Sequence, residues 1–147
     1  MTLEAPASAP PAEEPQPPRA GLERLVQAGG VVVALVATVL SALLELFMTP
    51  LRIGGTPIGV AILLAAVANY AISWFAVSTV GRRWALAPPW AVWTAIMFFA
   101  AGGRTTEGDY LVSGKDWVAL VMILVGSLSF AVFAYRAILK GPTVTKL

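Results

Sequence analysis

The sequence contains neither cysteine nor histidine among its 147 residues. The absence of cysteine excludes disulfide bonds, thiolate nucleophiles, iron–sulfur clusters and cysteine-ligated zinc. The absence of histidine removes the usual general base near neutral pH and the usual ligand of zinc and haem. Catalysis would have to depend on carboxylates or hydroxyl groups, so we expect neither an enzyme nor a bound cofactor or metal.

Charged residues are also scarce. They make up 12% of the chain, whereas a typical soluble domain has about 25%. Hydrophobic residues make up 58%, and the mean hydropathy is +0.78. The net charge of +2 is too small and too scattered for a nucleic-acid-binding surface. This composition predicts an integral membrane protein.

Proline is concentrated at the amino terminus, where residues 1–20 hold six of the eleven prolines. Such a segment has too little apolar surface to offset the entropy lost on ordering. We therefore predict that residues 1–22 form a disordered arm, which precedes a transmembrane domain at 23–140 and a short tail at 141–147.

Four long apolar runs predict the fold. Each must satisfy its backbone hydrogen bonds within lipid, and a run of about 20 residues does so as an α-helix. The prediction is an all-α polytopic membrane protein with four transmembrane helices in an antiparallel bundle, the alternative being a re-entrant third segment. The predicted spans are about 25–48, 58–80, 84–101 and 117–139.

Basic residues predict the orientation. Seven of the ten Lys and Arg residues fall in the arm, the second connection and the tail, on one side of the predicted membrane. The other side has three, Arg52, Arg104 and Lys115. By the positive-inside rule, both termini are predicted to be cytoplasmic, in a multi-pass protein of the plasma (inner) membrane.

Four polar residues are candidates for a functional or packing role. Glu45 is the one acidic residue inside a predicted span, and an intramembrane acid is a functional hypothesis by default. Its position near the outer end of the first span also allows pairing with Arg52 or Arg104 of the outer connections. Asn69 lies near the middle of the second span, where an interhelical hydrogen bond is expected. The two differ in depth by about 12 Å, so they are not expected to form one site directly.

Small residues recur on one face of each of the first two spans. Such faces let transmembrane helices approach closely. We predict a packing seam between the first two helices, made by Gly30, Ala34, Ala37, Ser41, Ala61, Ala65 and Ser73.

Three segments carry a resemblance to a known family. FMTPLRIGGTPIGV at 47–60, Asn69, and EGDYLVSGKDW at 107–117 resemble a family of small actinobacterial four-helix integral membrane proteins that share a domain of unknown function. The resemblance covers roughly 30–140. It implies a fold and a membrane location but no reaction.

Three functions from different classes are compatible with the sequence. The leading hypothesis is a non-catalytic accessory or scaffold component of the cell envelope, with other membrane proteins or a second copy of itself as partners besides the lipid bilayer. The alternative is a small oligomeric transporter or channel that uses Glu45 and Asn69. Catalysis by the outer carboxylates Glu107 and Asp109 is the weakest hypothesis, because no third group orients them.

Overall fold

The computed structural model describes residues 20–103 and 116–139 and contains four main helices within them. They are α1 (Ala20–Met48), α2 (Val60–Val80), α3 (Ala87–Gly102) and α4 (Trp117–Leu139). A 3-10 turn at Arg83–Leu86 precedes α3 and lengthens the third apolar segment to Arg83–Gly102. Each of the four segments is long and apolar enough to cross a membrane. The predicted all-α, four-helix membrane fold is confirmed.

The first helix begins earlier than the hydrophobic run predicts. Residues 20–22, assigned to the arm on sequence grounds, belong to α1. Glu23 lies in the first turn, where a negative charge interacts favourably with the helix dipole. The Gln27 amide also donates to Glu23 at 3.3 Å. Polar residues thus extend α1 beyond its apolar run.

A small hairpin joins α1 to α2. Strands β1 (Arg52–Ile53) and β2 (Thr56–Pro57) pair in antiparallel register. Gly54 and Gly55 form the turn with φ of 58° and 84°, the positive values that a two-residue type I′ turn requires. The backbone N–H of Ile58 then donates to the Leu51 carbonyl at 3.0 Å. The hairpin is therefore a tight connection between the neighbouring helices α1 and α2.

The third helix starts with two prolines, Pro88 and Pro89, in its first turn. Proline is tolerated there because the first N–H groups of a helix have no intrahelical acceptor. The 3-10 turn and α3 together provide enough length to cross the bilayer.

The helices are arranged in the spatial order α3, α1, α2, α4. The closest packing joins α1 to α2, α1 to α3 and α2 to α4, whereas α3 and α4 contact each other sparsely. We name the two ends of the bundle by their contents. The hairpin end contains β1 and β2, and the arginine end contains the exposed Arg24, Arg82, Arg83 and Arg136.

Large apolar side chains cover the outside of every helix. Leu40, Leu63, Phe98 and Leu124 are each more than 60% exposed. An apolar surface on all sides is expected where the surrounding solvent is lipid. The chain is therefore a multi-pass membrane protein.

Candidate functional site

Glu45 is completely buried within the bundle, although it lies one turn from the hairpin end of α1. Its Oε1 accepts a hydrogen bond from Ser41 Oγ at 2.8 Å. Its Oε2 accepts one from the indole Nε1 of Trp93 at 2.9 Å. Ser41 lies one turn earlier on α1 and Trp93 lies on α3, so the carboxyl group connects the two helices.

Trp93 extends from this carboxyl group toward the opposite side of the bundle. Its indole ring lies against α4 at Gly126, where a Cβ atom would overlap Trp93 Cζ2 and come within 2.6 Å of Cη2. The same Cβ would lie 2.9 Å from Asn69 Nδ2, on α2. All four helices therefore meet around one indole ring. We call Ser41, Glu45, Asn69, Trp93 and Gly126 the central polar cluster.

Asn69 is the incompletely bonded member of this cluster. Its side chain is fully buried, and neither Nδ2 nor Oδ1 has a hydrogen-bond partner within the described part of the chain. Its backbone carbonyl accepts from Ser73 Oγ at 2.6 Å, one turn further along α2. A buried amide without partners costs about 1–3 kcal/mol. The interhelical hydrogen bond predicted for Asn69 is absent among the described residues.

Thr49 lies on the hairpin side of the cluster. Its hydroxyl donates to the Glu45 carbonyl at 3.0 Å and lies 3.6 Å from the Met122 sulfur on α4. Met122 is fully buried beneath it. This contact connects the residue that follows α1 to α4.

The two side-chain donors to Glu45 are neutral. An ionised carboxylate within a membrane is costly, and neutral hydrogen bonds compensate for that cost only in part. Arg52, one of the predicted cationic partners, is exposed in β1, and the structure gives Glu45 the partners Ser41 and Trp93 instead. Arg104 lies outside the described residues, as do Glu107 and Asp109.

The structure places the predicted packing seam in two different contacts. At the arginine end, Gly30 faces Thr79 so closely that a Cβ would overlap Thr79 Cγ2, and Ala34 clusters with Ile72 and Ala76. Those contacts join α1 to α2 as expected, with the half-buried Ala37 packed against the same cluster.

The small residues of α2 face the interior of the bundle rather than α1 alone. Ala61 and Ala65 are fully buried in one cluster with Ala42, Trp93 and Met122, which lie on α1, α3 and α4. Ser73 is buried on the same α2 face. These small side chains leave room for the indole of Trp93.

Sequence reasoning missed Trp93. The other tryptophans of the described chain are exposed, as in Trp84, Trp90 and Trp117 near the ends of apolar segments. Trp93 occupies the middle of its segment, away from the interfacial positions that tryptophan favours. A mid-span indole needs an acceptor for its N–H, and the acid of the first span was available. A tryptophan in the middle of one span and an acid within another were therefore the sequence features that could have predicted this hydrogen bond.

The centre of the cluster is closed in this structure. Glu45, Asn69 and Trp93 are each 0% exposed, and Ser41 at its edge is half-buried. Within residues 20–103 and 116–139, no group of three or more His, Cys, Asp or Glu side chains is arranged to bind a metal ion. The arrangement links α1 and α3 by a hydrogen bond and packs α4 against the same indole ring.

Comparisons of this chain with protein-family models, with curated proteins and with solved structures found no match. The resemblance to small actinobacterial four-helix membrane proteins therefore stays a prediction.

Proposed function

We propose that this protein is a non-catalytic accessory or scaffold component of the plasma membrane, with both termini cytoplasmic. It acts by packing against another membrane protein or a second copy of itself. The observation that supports the proposal is the closed central polar cluster. The hydrogen bond from Trp93 to Glu45 joins α3 to α1, and a catalytic or transport site needs access for a ligand.

The composition supports the same proposal. Without histidine and cysteine, the chain lacks the usual general base near neutral pH and a thiolate nucleophile. The apolar surface of each helix is available to lipid or to a neighbouring helix. Specific association of such helices depends on close packing and on a few polar contacts rather than on hydrophobic burial.

The positive-inside bias supports the orientation. The arginine end contains Arg24, Arg82, Arg83 and Arg136 among the described residues, whereas the hairpin end contains Arg52. Lys and Arg are enriched in cytoplasmic loops, so the arginine end is assigned to the cytoplasm.

One observation favours the alternative, a small transporter. Asn69 has a buried amide without partners, and Glu45 has a buried carboxyl group with neutral donors. Both polar groups are potential ligands for a cation or a proton in a second conformation that admits water. This function requires the cluster to open, and oligomerisation to form a path.

Extraction from native membranes tests the scaffold function. We expect the chain to migrate in mild detergent as a defined complex that exceeds the 15.4 kDa of one copy. Native mass spectrometry then identifies the second component. Recovery of a single copy alone from native membranes contradicts the proposal.

Liposome flux separates the two functions. We expect no flux of protons, monovalent cations or lipophilic amines above that of empty vesicles. Flux that Glu45→Gln abolishes and Glu23→Gln leaves unchanged would establish transport through Glu45. Glu23 is the matched control because it lies on the same helix and is exposed.

A further inference from the structure

A groove lies between α3 and α4 at the arginine end, on the side of the bundle away from α1 and α2. Its volume is about 390 Å³. The residues that line it include Arg83, Leu86, Trp90, Ser127, Phe130 and Ala134. It is separate from the closed cluster, and its occupant is independent of the function proposed above.

The groove follows from the packing order of the helices. α3 packs mainly on α1 and α4 mainly on α2, so α3 and α4 contact each other sparsely. Ala87, Ser127, Ala131 and Ala134 lie on the facing surfaces and are too small to fill the gap. The aromatic ring of Phe130, 5.8 Å from that of Trp93, closes its inner wall.

A cationic side chain lies at the entrance of this apolar groove. Arg83 begins the 3-10 turn before α3 and is exposed. The described chain has three acidic residues, and two of them, Glu45 and Asp116, lie toward the other end of the bundle. The third, Glu23, accepts a hydrogen bond from Gln27 on α1. Within residues 20–103 and 116–139, therefore, no carboxylate competes with an external anion for Arg83.

The groove is short compared with a transmembrane helix. The lining residues span about seven positions on each helix, or about 10 Å along the bundle. A helix that crosses the bilayer needs about 30 Å, so the groove would contact only a third of its length. A single hydrocarbon chain is narrower than a helix and is apolar, like most of the residues that line the groove.

We propose that this groove binds one acidic phospholipid, with an acyl chain between Trp90 and Phe130 and the phosphate at Arg83. The guanidinium group offers several N–H donors in a geometry suited to phosphate oxygens. Basic pockets between transmembrane helices are a known way to bind acidic headgroups. Trp84 follows Arg83 and Trp90 lines the groove, and both are exposed; tryptophan is enriched at membrane–water interfaces.

A second, smaller groove has the same construction. It holds about 220 Å³ between the start of α1 and the end of α2, and its lining includes Arg24, Val31, Val80 and Trp84. In this groove too, an arginine and a tryptophan lie beside an apolar surface. The arginine end therefore repeats the combination of charge and apolar surface that an acidic lipid requires.

Lipid retention tests the proposal. The full chain is reconstituted into vesicles of equal parts phosphatidylglycerol and phosphatidylcholine, extracted in mild detergent and examined by native mass spectrometry. We expect bound phosphatidylglycerol to exceed bound phosphatidylcholine about fivefold, the factor that corresponds to one basic residue near an acidic headgroup. Equal retention of the two lipids overturns the proposal.

The charged half of the site is tested with adjacent arginines. Arg83→Gln should lower the preference for phosphatidylglycerol, whereas Arg82→Gln should leave it unchanged, because Arg82 does not line the groove. Both residues are exposed, so neither change is expected to affect folding. An equal loss in both variants would show general surface attraction and would contradict a site at Arg83.

The acyl-chain part of the proposed site is tested by placing larger side chains in the groove. Ala131→Phe should displace the lipid, and the exposed Ala91→Phe on α3, outside the groove, is its control. Ala134→Leu fills the same groove with a smaller side chain, should Ala131→Phe fail to fold. Retention of phosphatidylglycerol by folded filled variants would overturn the acyl-chain assignment.

Discussion

Trp93 is the residue on which the interior of this protein depends. Its Nε1 donates to Glu45 on α1, and its ring occupies the space beside Gly126 on α4 and near Asn69 on α2. The ring also lies 5.8 Å from that of Phe130, in a tilted arrangement. One side chain thereby contributes both a hydrogen bond and the largest apolar surface of the core.

A substitution at Gly126 tests the position of the Trp93 indole ring. We expect Gly126→Ala to lower the melting temperature in detergent, because its Cβ would overlap a rigid, buried indole ring and the strain of such overpacking is typically about 1–3 kcal/mol. Gly29→Ala is the matched control, since no atom lies within 4 Å of a Cβ at that helical position. Equal melting temperatures for the two variants would mean that the indole does not occupy this place.

Individual elements of the structure follow local sequence rules. The turn at Gly54 and Gly55 connects two short strands, and Thr56 Oγ1 donates to the Ile53 carbonyl at 2.7 Å to brace it. The hairpin requires positive φ at both central residues, and this sets the geometry in which α1 leads into α2. α3, by comparison, depends on a 3-10 turn and two prolines for its start.

Substitutions at Gly54 test the turn of the hairpin. Gly54→Val should destabilise the protein, because a β-branched residue at φ 58° is strained. Gly54→Asn should be neutral or stabilising, since Asn-Gly is a favoured type I′ pair. Thermal unfolding of both variants in the same detergent checks this, and a Gly54→Val protein as stable as Gly54→Asn would exclude the turn.

At the scale of the whole molecule, the described part of the bundle is open between α3 and α4. α1 and α2 pack together through the contacts at Gly30 and Ala34, while α3 and α4 contact each other sparsely and leave the groove beside Arg83. On the α2 side, Arg136 of α4 donates to the Tyr70 hydroxyl at 3.1 Å. The open side is thus where the bundle meets its surroundings with both charge and apolar surface.

Orientation is tested on the natural cysteine-free background. Single cysteines at Ser8, Ile53 and Thr145 preserve every charge of the chain. We expect a membrane-impermeant maleimide to label Ile53→Cys on intact cells, and to label Ser8→Cys and Thr145→Cys after permeabilisation, because the basic side is cytoplasmic. Labelling of Ser8→Cys and Thr145→Cys from opposite sides would contradict an even number of spans.

The sequence alone determined the number of membrane-crossing segments and the tight turn between the first two. Span length and backbone hydrogen bonding in lipid require helices of that extent, and Gly54-Gly55 between two prolines permits little other than a turn. These properties are local, so they can be read from residues close together in the chain.

The tertiary structure decided which helices touch and therefore what Glu45 binds. The sequence predicted a seam between α1 and α2 and left Arg52 or Arg104 as partners of the acid. In the folded chain, α3 packs on α1, and the long indole of Trp93 reaches the carboxyl group. Helix order around a bundle depends on how small and large side chains fit across several helices at once, and lipid gives no hydrophobic preference among apolar faces.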